Sequence, residues 1–431
     1  MALIDLGELR DEPGPDLTMR RRPGTGRRWR VGLVFVLVLT TLGPAVPAPR
    51  RASTTVPARS GSEAFLVGDQ FLVVGPPTDG GRGDRDLTAY DLPGDGPPPS
   101  TLRRRWRVTV PGVSRFWPVT AVDRVLLIVS NRGGPAGHLT VALDTATGRE
   151  RWRQAGSPML TEGGAVLLTA PVEEGGQVAR VVDPATGTAR WSVPTKPGRT
   201  DFRFADQGVD RVVRTLPSGR VEVRDADSGR VLADEQVRPG GQAAGERGQV
   251  VGDLLVVLRD DPPTVDAYGL DRLIRHWTVS GPAVSYLSSC GVALCVWEQT
   301  GGLRVLDRAT GRTAWSDRRW MGAFPVGDRL VATTSAGLTR EQIFLLDLAT
   351  GRVLADLGSW NGVQTPIGGR PPVASRQIRD RGLLVAEFDV EAGRPRILDV
   401  LPGDYADCRF HPDLLLCQRL DGSFQLSWLS D

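Results

Sequence analysis

The sequence predicts an all-β chain, a β-propeller of four-stranded blades, and three observations carry that prediction. A hairpin phrase recurs eight times, most intervals between its copies fall near forty residues, and no long amphipathic helical pattern follows the N-terminal fifty residues. Intervals of that size are those of one propeller blade, which buries its apolar faces only against its neighbours.

The phrase is fullest at Ala142-Leu-Asp144-Thr-Ala-Thr147-Gly148-Arg-Glu-Arg-Trp152. It returns at Val182-Asp183-Pro-Ala-Thr186-Gly187-Thr-Ala-Arg-Trp191 and at Leu306-Asp307-Arg-Ala-Thr310-Gly311-Arg-Thr-Ala-Trp315. Two copies, Arg224-Asp225-Ala-Asp-Ser228-Gly229-Arg-Val-Leu-Ala233 and Leu346-Asp347-Leu-Ala-Thr350-Gly351-Arg-Val-Leu-Ala355, keep the turn but place alanine where tryptophan stood. Degenerate copies read at Ala89-Tyr-Asp91, at Ala267-Tyr-Gly269 with Trp277, and at Ile397-Leu-Asp399 with Gly403. The key positions 91, 144, 183, 225, 269, 307, 347 and 399 are separated by 53, 39, 42, 44, 38, 40 and 52 residues. In each copy the Asp and Thr side chains can satisfy turn backbone groups and Gly supplies a positive φ, so the unit is strand, tight turn, strand.

Apolar strand pairs lie between copies, as at Val125-Leu-Leu-Ile-Val129 and Asp253-Leu-Leu-Val-Val-Leu258. Each blade therefore reads as two strands before the phrase and two within it. Eight phrases predict eight blades, with seven and nine as alternatives, because strands at 406–410, 414–417 and 424–428 follow the last copy. Residues 52–56 are expected to pair with those C-terminal strands, which closes the ring and leaves no edge strand open between its ends.

Ahead of the propeller, residues 1–30 form an Arg-rich leader, and residues 31–49 are uncharged until Arg50 stops the run. That length is near the minimum for a bilayer, and arginines before it keep the N-terminus cytoplasmic. The expected organisation is a leader at 1–30, a transmembrane anchor at 31–48, a tether at 49–60 and the propeller at 61–431. The alternative is a signal peptide cut after Val46-Pro-Ala48, which secretes the domain.

Fifty-three basic residues against 50 acidic ones leave a net charge of only +3, so the strong basic field of a nucleic-acid binder is missing. The cysteines fall as Cys290 with Cys295 and Cys408 with Cys417, each pair within a strand-turn-strand stretch. They read as hairpin disulfides, with free buried thiols as the alternative. A metal site would need more ligands than His138, His276 and His411 offer, since only His411 lies near a pair.

The phrase resembles the tryptophan-docking repeat of the pyrroloquinoline quinone (PQQ) dehydrogenase superfamily, which also holds cofactor-free propellers such as the lipoprotein of outer-membrane barrel assembly. The resemblance spans roughly residues 60 to 431. It implies that Ala142, Asp144, Thr147, Gly148 and Trp152 tie one blade to the next, as do their counterparts at 183–191 and 307–315. It also implies that a quinoprotein dehydrogenase would need a calcium site beside PQQ, an aspartate base and, in many members, a disulfide between adjacent cysteines. This chain departs from that pattern, and a haem-type Cys-x-x-Cys-His is missing too.

Nucleophile-elbow, zinc-protease and phosphate-loop motifs are also missing from the sequence. Asp144, Asp183, Asp225, Asp307 and Asp347 read as turn caps, and Trp106, Trp152, Trp191, Trp277 and Trp315 as packing residues. Trp117, Trp297, Trp320 and Trp360 are the aromatic candidates for a ligand surface, and the three histidines stand isolated in sequence. The expected function is a non-catalytic, cofactor-free scaffold in the envelope, binding a protein or glycan through loops at 75–86, 91–100, 239–249 and 358–372. A PQQ-dependent dehydrogenase and an extracytoplasmic sensor are the alternatives.

Overall fold

The computed structural model describes residues 52–431, apart from 78–83, 94–98, 112–114, 132–136, 172–176, 194–197, 238–245, 336–339, 365–369, 412–413 and 429–431. The expected leader and anchor lie outside the described residues. Within them, no helix is long and apolar enough to cross a membrane.

Nine four-stranded antiparallel sheets follow one another. Blade 1 comprises Glu63–Val67, Gln70–Val74, Arg85–Asp91 and Arg104–Val110, and blade 2 starts at Arg115–Val122. Blades 3 to 8 begin at Ser157–Leu160, Arg199–Phe204, Arg247–Val251, Val284–Cys290, Gly322–Val326 and Gly362–Gln364. First strands touch one another between blades 1 and 2 and along blades 4 to 7, which places the first strands innermost, walling the central channel.

Period-two alternation explains why the second strands are apolar throughout. In Val125–Asn131, Leu126 and Ile128 pack into the seam with blade 1, whereas Val125 and Leu127 pack into the seam with blade 3. Both faces of each blade are covered, so both side-chain sets must be apolar. Nine apolar clusters result, each built by two neighbouring blades. The last joins Phe424 and Leu426 of blade 9 to Phe71 and Val73 of blade 1. The ring is closed.

Closure follows the expected route. Ser53–Val56 is the fourth strand of blade 9, antiparallel to Phe424–Trp428, with Ser53 opposite Ser427 and Val56 opposite Phe424. The expected count of eight is thereby corrected to nine. The ninth blade takes its third and fourth strands from opposite chain ends, so it has no connecting turn and no phrase to be counted.

The eighth copy is also corrected. Ile397-Leu-Asp399 lies inside the fourth strand of blade 8, Arg394–Leu401. The turn of that blade is Asp389-Val-Glu-Ala392-Gly393, where Asp389 Oδ1 accepts from the Ala392 amide at 2.8 Å. It lies 42 residues after Asp347, so the anomalous interval of 52 disappears. It has Ala392 where the stronger copies have Thr or Ser, which hid it.

Turns between first and second strands, and all the phrase turns, fall on one face of the ring. Loops between second and third strands, and the links between blades, fall on the other.

Candidate functional site

The phrase residues occupy the seams between blades. Asp144 Oδ1 accepts from the amides of Ala146 and Thr147 at 3.0 and 2.9 Å and from the Thr147 hydroxyl at 3.0 Å. Asp183 does the same with Ala185 and Thr186, at 3.0 to 3.1 Å. Asp225 accepts from Ser228, Asp307 from Thr310 and Asp347 from Thr350.

Each tryptophan reaches into the next blade. Trp106, Trp152, Trp277 and Trp315 donate Nε1–H to the carbonyls of Thr145, Pro184, Arg308 and Leu348 at 2.8, 2.8, 2.9 and 2.8 Å. Trp191 donates to Ala226 at 3.0 Å and Asp227 at 3.1 Å. Beneath each ring lies the phrase glycine of the next blade, so Gly148, Gly187, Gly229, Gly311 and Gly351 have the required backbone and no side chain to obstruct the indole. At Gly311, a Cβ would stand 2.5 Å from the Trp277 ring.

One seam inverts this arrangement. Blade 4 offers Ala233, and the glycine position of blade 5 holds Leu273, buried and at φ +54°. Leu273 N donates to the Gly269 carbonyl at 2.8 Å, as Gly148 N does to Asp144. The side chain volume has moved from one blade to the other. Between blades 7 and 8 the glycine is kept and only the tryptophan is lost: Ala355 meets Gly393, and Val390 packs into the same cluster.

The phrase carboxylates are held as anions. Arg151, then Thr147 and backbone amides, lower the Asp144 pKa from 3.8 to about 2. Arg190 lowers Asp183, Ser228 lowers Asp225, Thr310 lowers Asp307 and Thr350 lowers Asp347. A carboxylate depressed by folding stabilises the native state fully above its unfolded value and loses that contribution as pH falls through its folded value. The melting-temperature gap between wild type and Asp144→Asn is therefore expected to be constant above about pH 5 and to close between about pH 4 and pH 2. Thermal scans across that window check it, and a gap that persists at pH 2 contradicts the assignment.

Cys290–Cys295 joins the first and second strands of blade 6, and Cys408–Cys417 those of blade 9. Trp297, Trp320 and Trp360 are buried at 6, 1 and 2 % exposure, so these candidates pack in the core, as large aromatics usually do, and present no face to a ligand. The Trp117 side chain lies outside the description. His138 is not isolated, because its Nδ1 sits 2.8 Å from the Ser157 hydroxyl of the next blade. Among the described residues, no group of three or more His, Cys, Asp or Glu side chains is gathered to hold a metal ion.

A groove of about 550 Å³ opens on the inner wall across blades 3 to 6. Arg199, Asp201, Phe204, Gln249, Ser285 and Tyr286 are among its lining residues. The groove takes in 247–249 of the expected contact loops, here as part of an inner strand, while 238–245 lie outside the described residues. Tyr286 is 49 % exposed and stacks on buried Trp297 with centroids 5.7 Å apart and planes 22° from parallel. Phe204 is 64 % exposed. Sequence reasoning missed both, since each lies on a strand outside the phrase, with no local pattern to mark it as exposed.

Polar groups around these rings are anchored. Gln249 is locked to the next blade, donating to the Leu287 carbonyl at 2.6 Å and accepting from its amide at 3.2 Å. Arg247 donates to the Val284 and Ser285 carbonyls at 2.6 and 3.1 Å and pairs with Asp260 at 3.5 Å. Arg199 Nε lies 3.0 and 3.2 Å from the two Asp201 oxygens. Burial raises the Asp201 pKa against the pull of that arginine. The result is a preorganised wall whose lining includes two exposed aromatic rings and a carboxylate–guanidinium pair that partly neutralises itself.

Residues 97–274 match the family model described as "Outer membrane protein assembly factor BamB". No curated protein sequence matches the chain. Among solved structures, the computationally designed Ika8 protein is similar over 73 % of this chain and 96 % of its own, at 15 % identity and a TM-score of 0.45. BamB from Moraxella catarrhalis is similar over 72 % of this chain and 96 % of its own, at 14 % identity and a TM-score of 0.41. With its tryptophan-docking phrases, the chain is similar over residues 97–274 to the PQQ-like β-propeller family.

Proposed function

We propose that this protein is a membrane-anchored, extracytoplasmic scaffold that works by recognition, with no cofactor, through the channel wall of its propeller. The observation that carries the reading is the groove of blades 3 to 6, where Phe204 and Tyr286 are exposed on rigid inner strands. Large aromatics left exposed in a concave, well-supported surface are those of a binding site. The phrase carboxylates, by contrast, are committed to their turns. The family match to an assembly factor supports a scaffold role in broad terms. The uncharged run at 31–49 and the two disulfides suit a protein tethered in the membrane and folded outside the reducing cytosol.

Native mass spectrometry of the full chain, recovered from its own cells after membrane fractionation and repeated with added PQQ and calcium, tests this. The expected result is recovery in the membrane fraction with no quinone adduct. A one-to-one quinone gain overturns the non-catalytic reading. Recovery in the soluble cytosolic fraction overturns the anchored, extracytoplasmic one.

A further inference from the structure

We infer that the groove across blades 3 to 6 takes a neutral oligosaccharide of two or three rings. The inference rests on the scaffold reading above and names the ligand class of the same site.

Four observations point to this chemistry. The Tyr286 ring is half exposed and backed by buried Trp297, so a flat face is offered at little entropic cost. Phe204 presents a second ring in the same groove. Sugar rings have apolar C–H faces that cover such aromatics and hydroxyls at their edges that both donate and accept. The Arg199–Asp201 pair supplies a fixed acceptor beside a fixed donor, with the Arg199 side chain 49 % exposed and Asp201 14 %. Asp201 is partly desolvated, so a hydroxyl donating to it replaces water that burial has already removed.

Charge argues for a neutral ligand. Arg199 is paired with Asp201 and Arg247 with Asp260, so the groove holds no unopposed cation from either arginine to select a phosphate or an acidic peptide. Size agrees as well. A cavity of about 550 Å³ is too large for one monosaccharide and falls in the ordinary range of ligand sites.

The test is isothermal titration of the full chain, held in a non-glycosidic detergent, with N-acetylchitotriose, maltotriose, mannotriose and a Glu-rich decapeptide. At least one trisaccharide is expected to bind with a Kd of about 1 mM or tighter, and Tyr286→Ala and Asp201→Asn are each expected to weaken it about tenfold or more. Tyr286→Phe keeps the ring and should retain most of the affinity, which separates stacking from loss of fold. An unchanged melting temperature in Tyr286→Ala provides the same control. No saturable binding of any trisaccharide up to about 10 mM overturns the inference, as does sugar binding indifferent to Tyr286→Ala. Tighter binding of the acidic peptide also overturns it. None of these outcomes touches the scaffold reading, which falls only on the quinone adduct or the cytosolic recovery.

Discussion

Trp277→Ala is expected to lower the free energy of unfolding by about 3–5 kcal/mol, because a buried indole is lost from a seam that cannot collapse around the gap. Trp277 is 8 % exposed, and its ring covers Gly311 of the next blade. The seam between blades 4 and 5 provides the converse case. There Ala233 faces Leu273, and Leu273 holds a left-handed backbone that costs an L-residue about 1–2 kcal/mol. Leu273→Gly relieves that strain but removes a buried side chain, for a net loss of about 2 kcal/mol. Ala233→Trp alone overpacks the seam by about 1–3 kcal/mol. The double variant restores the arrangement of the other seams and is expected to lie within about 1 kcal/mol of wild type, a coupling of 2 kcal/mol or more. Urea unfolding of the four proteins reads the cycle. Additive losses would show that these two positions do not exchange volume.

The second large effect concerns closure. A chain starting at residue 57 lacks the fourth strand of blade 9, and is expected to be about 5 kcal/mol less stable than one starting at residue 52. The estimate combines three or four ladder hydrogen bonds at about 1 kcal/mol each with about 2 kcal/mol for burying Val56. Val56 is 4 % exposed in the cluster joining blades 9 and 1. Loss of that strand also leaves Phe424–Trp428 as an open edge, so the shorter chain should self-associate. Denaturation midpoints and light scattering on the two truncations measure both consequences. Equal midpoints would mean that the ring is held without its N-terminal strand.

Much of this architecture was legible because it is local. The Asp-x-x-Thr-Gly turn needs a capping carboxylate, a hydroxyl and a residue free to adopt positive φ, and these are written within five residues at Asp144 and Asp307. Unbroken apolar runs such as 125–129 declare strands covered on both faces. The cysteine pairs fell inside hairpins, where a disulfide joins adjacent strands.

Blade number was not local. The phrase marks the turn between third and fourth strands, and blade 9 has no such turn, so eight readable copies accompany nine blades. The eighth copy was itself misplaced by ten residues, from Asp389 to Asp399, because the true turn has Ala392 in place of the hydroxyl residue. Leu273 gave no signal either, since a leucine at a glycine position reads as degeneration until Ala233 is seen across the seam.

The groove is the feature furthest from the sequence. Tyr286, Phe204, Asp201 and Arg199 lie on two first strands more than eighty residues apart at their extremes, with nothing in their local patterns to join them. By itself, the sequence determined the fold class, the blade unit and the near-balanced charge, because each follows from short-range chemistry or composition; the closing strand followed from the need to leave no open edge between the chain ends. Only the tertiary structure decided how many blades close the ring, which seam exchanges tryptophan for leucine, and which aromatics are left facing the channel. Those depend on what each side chain meets from another blade, and burial is a property of the assembled ring.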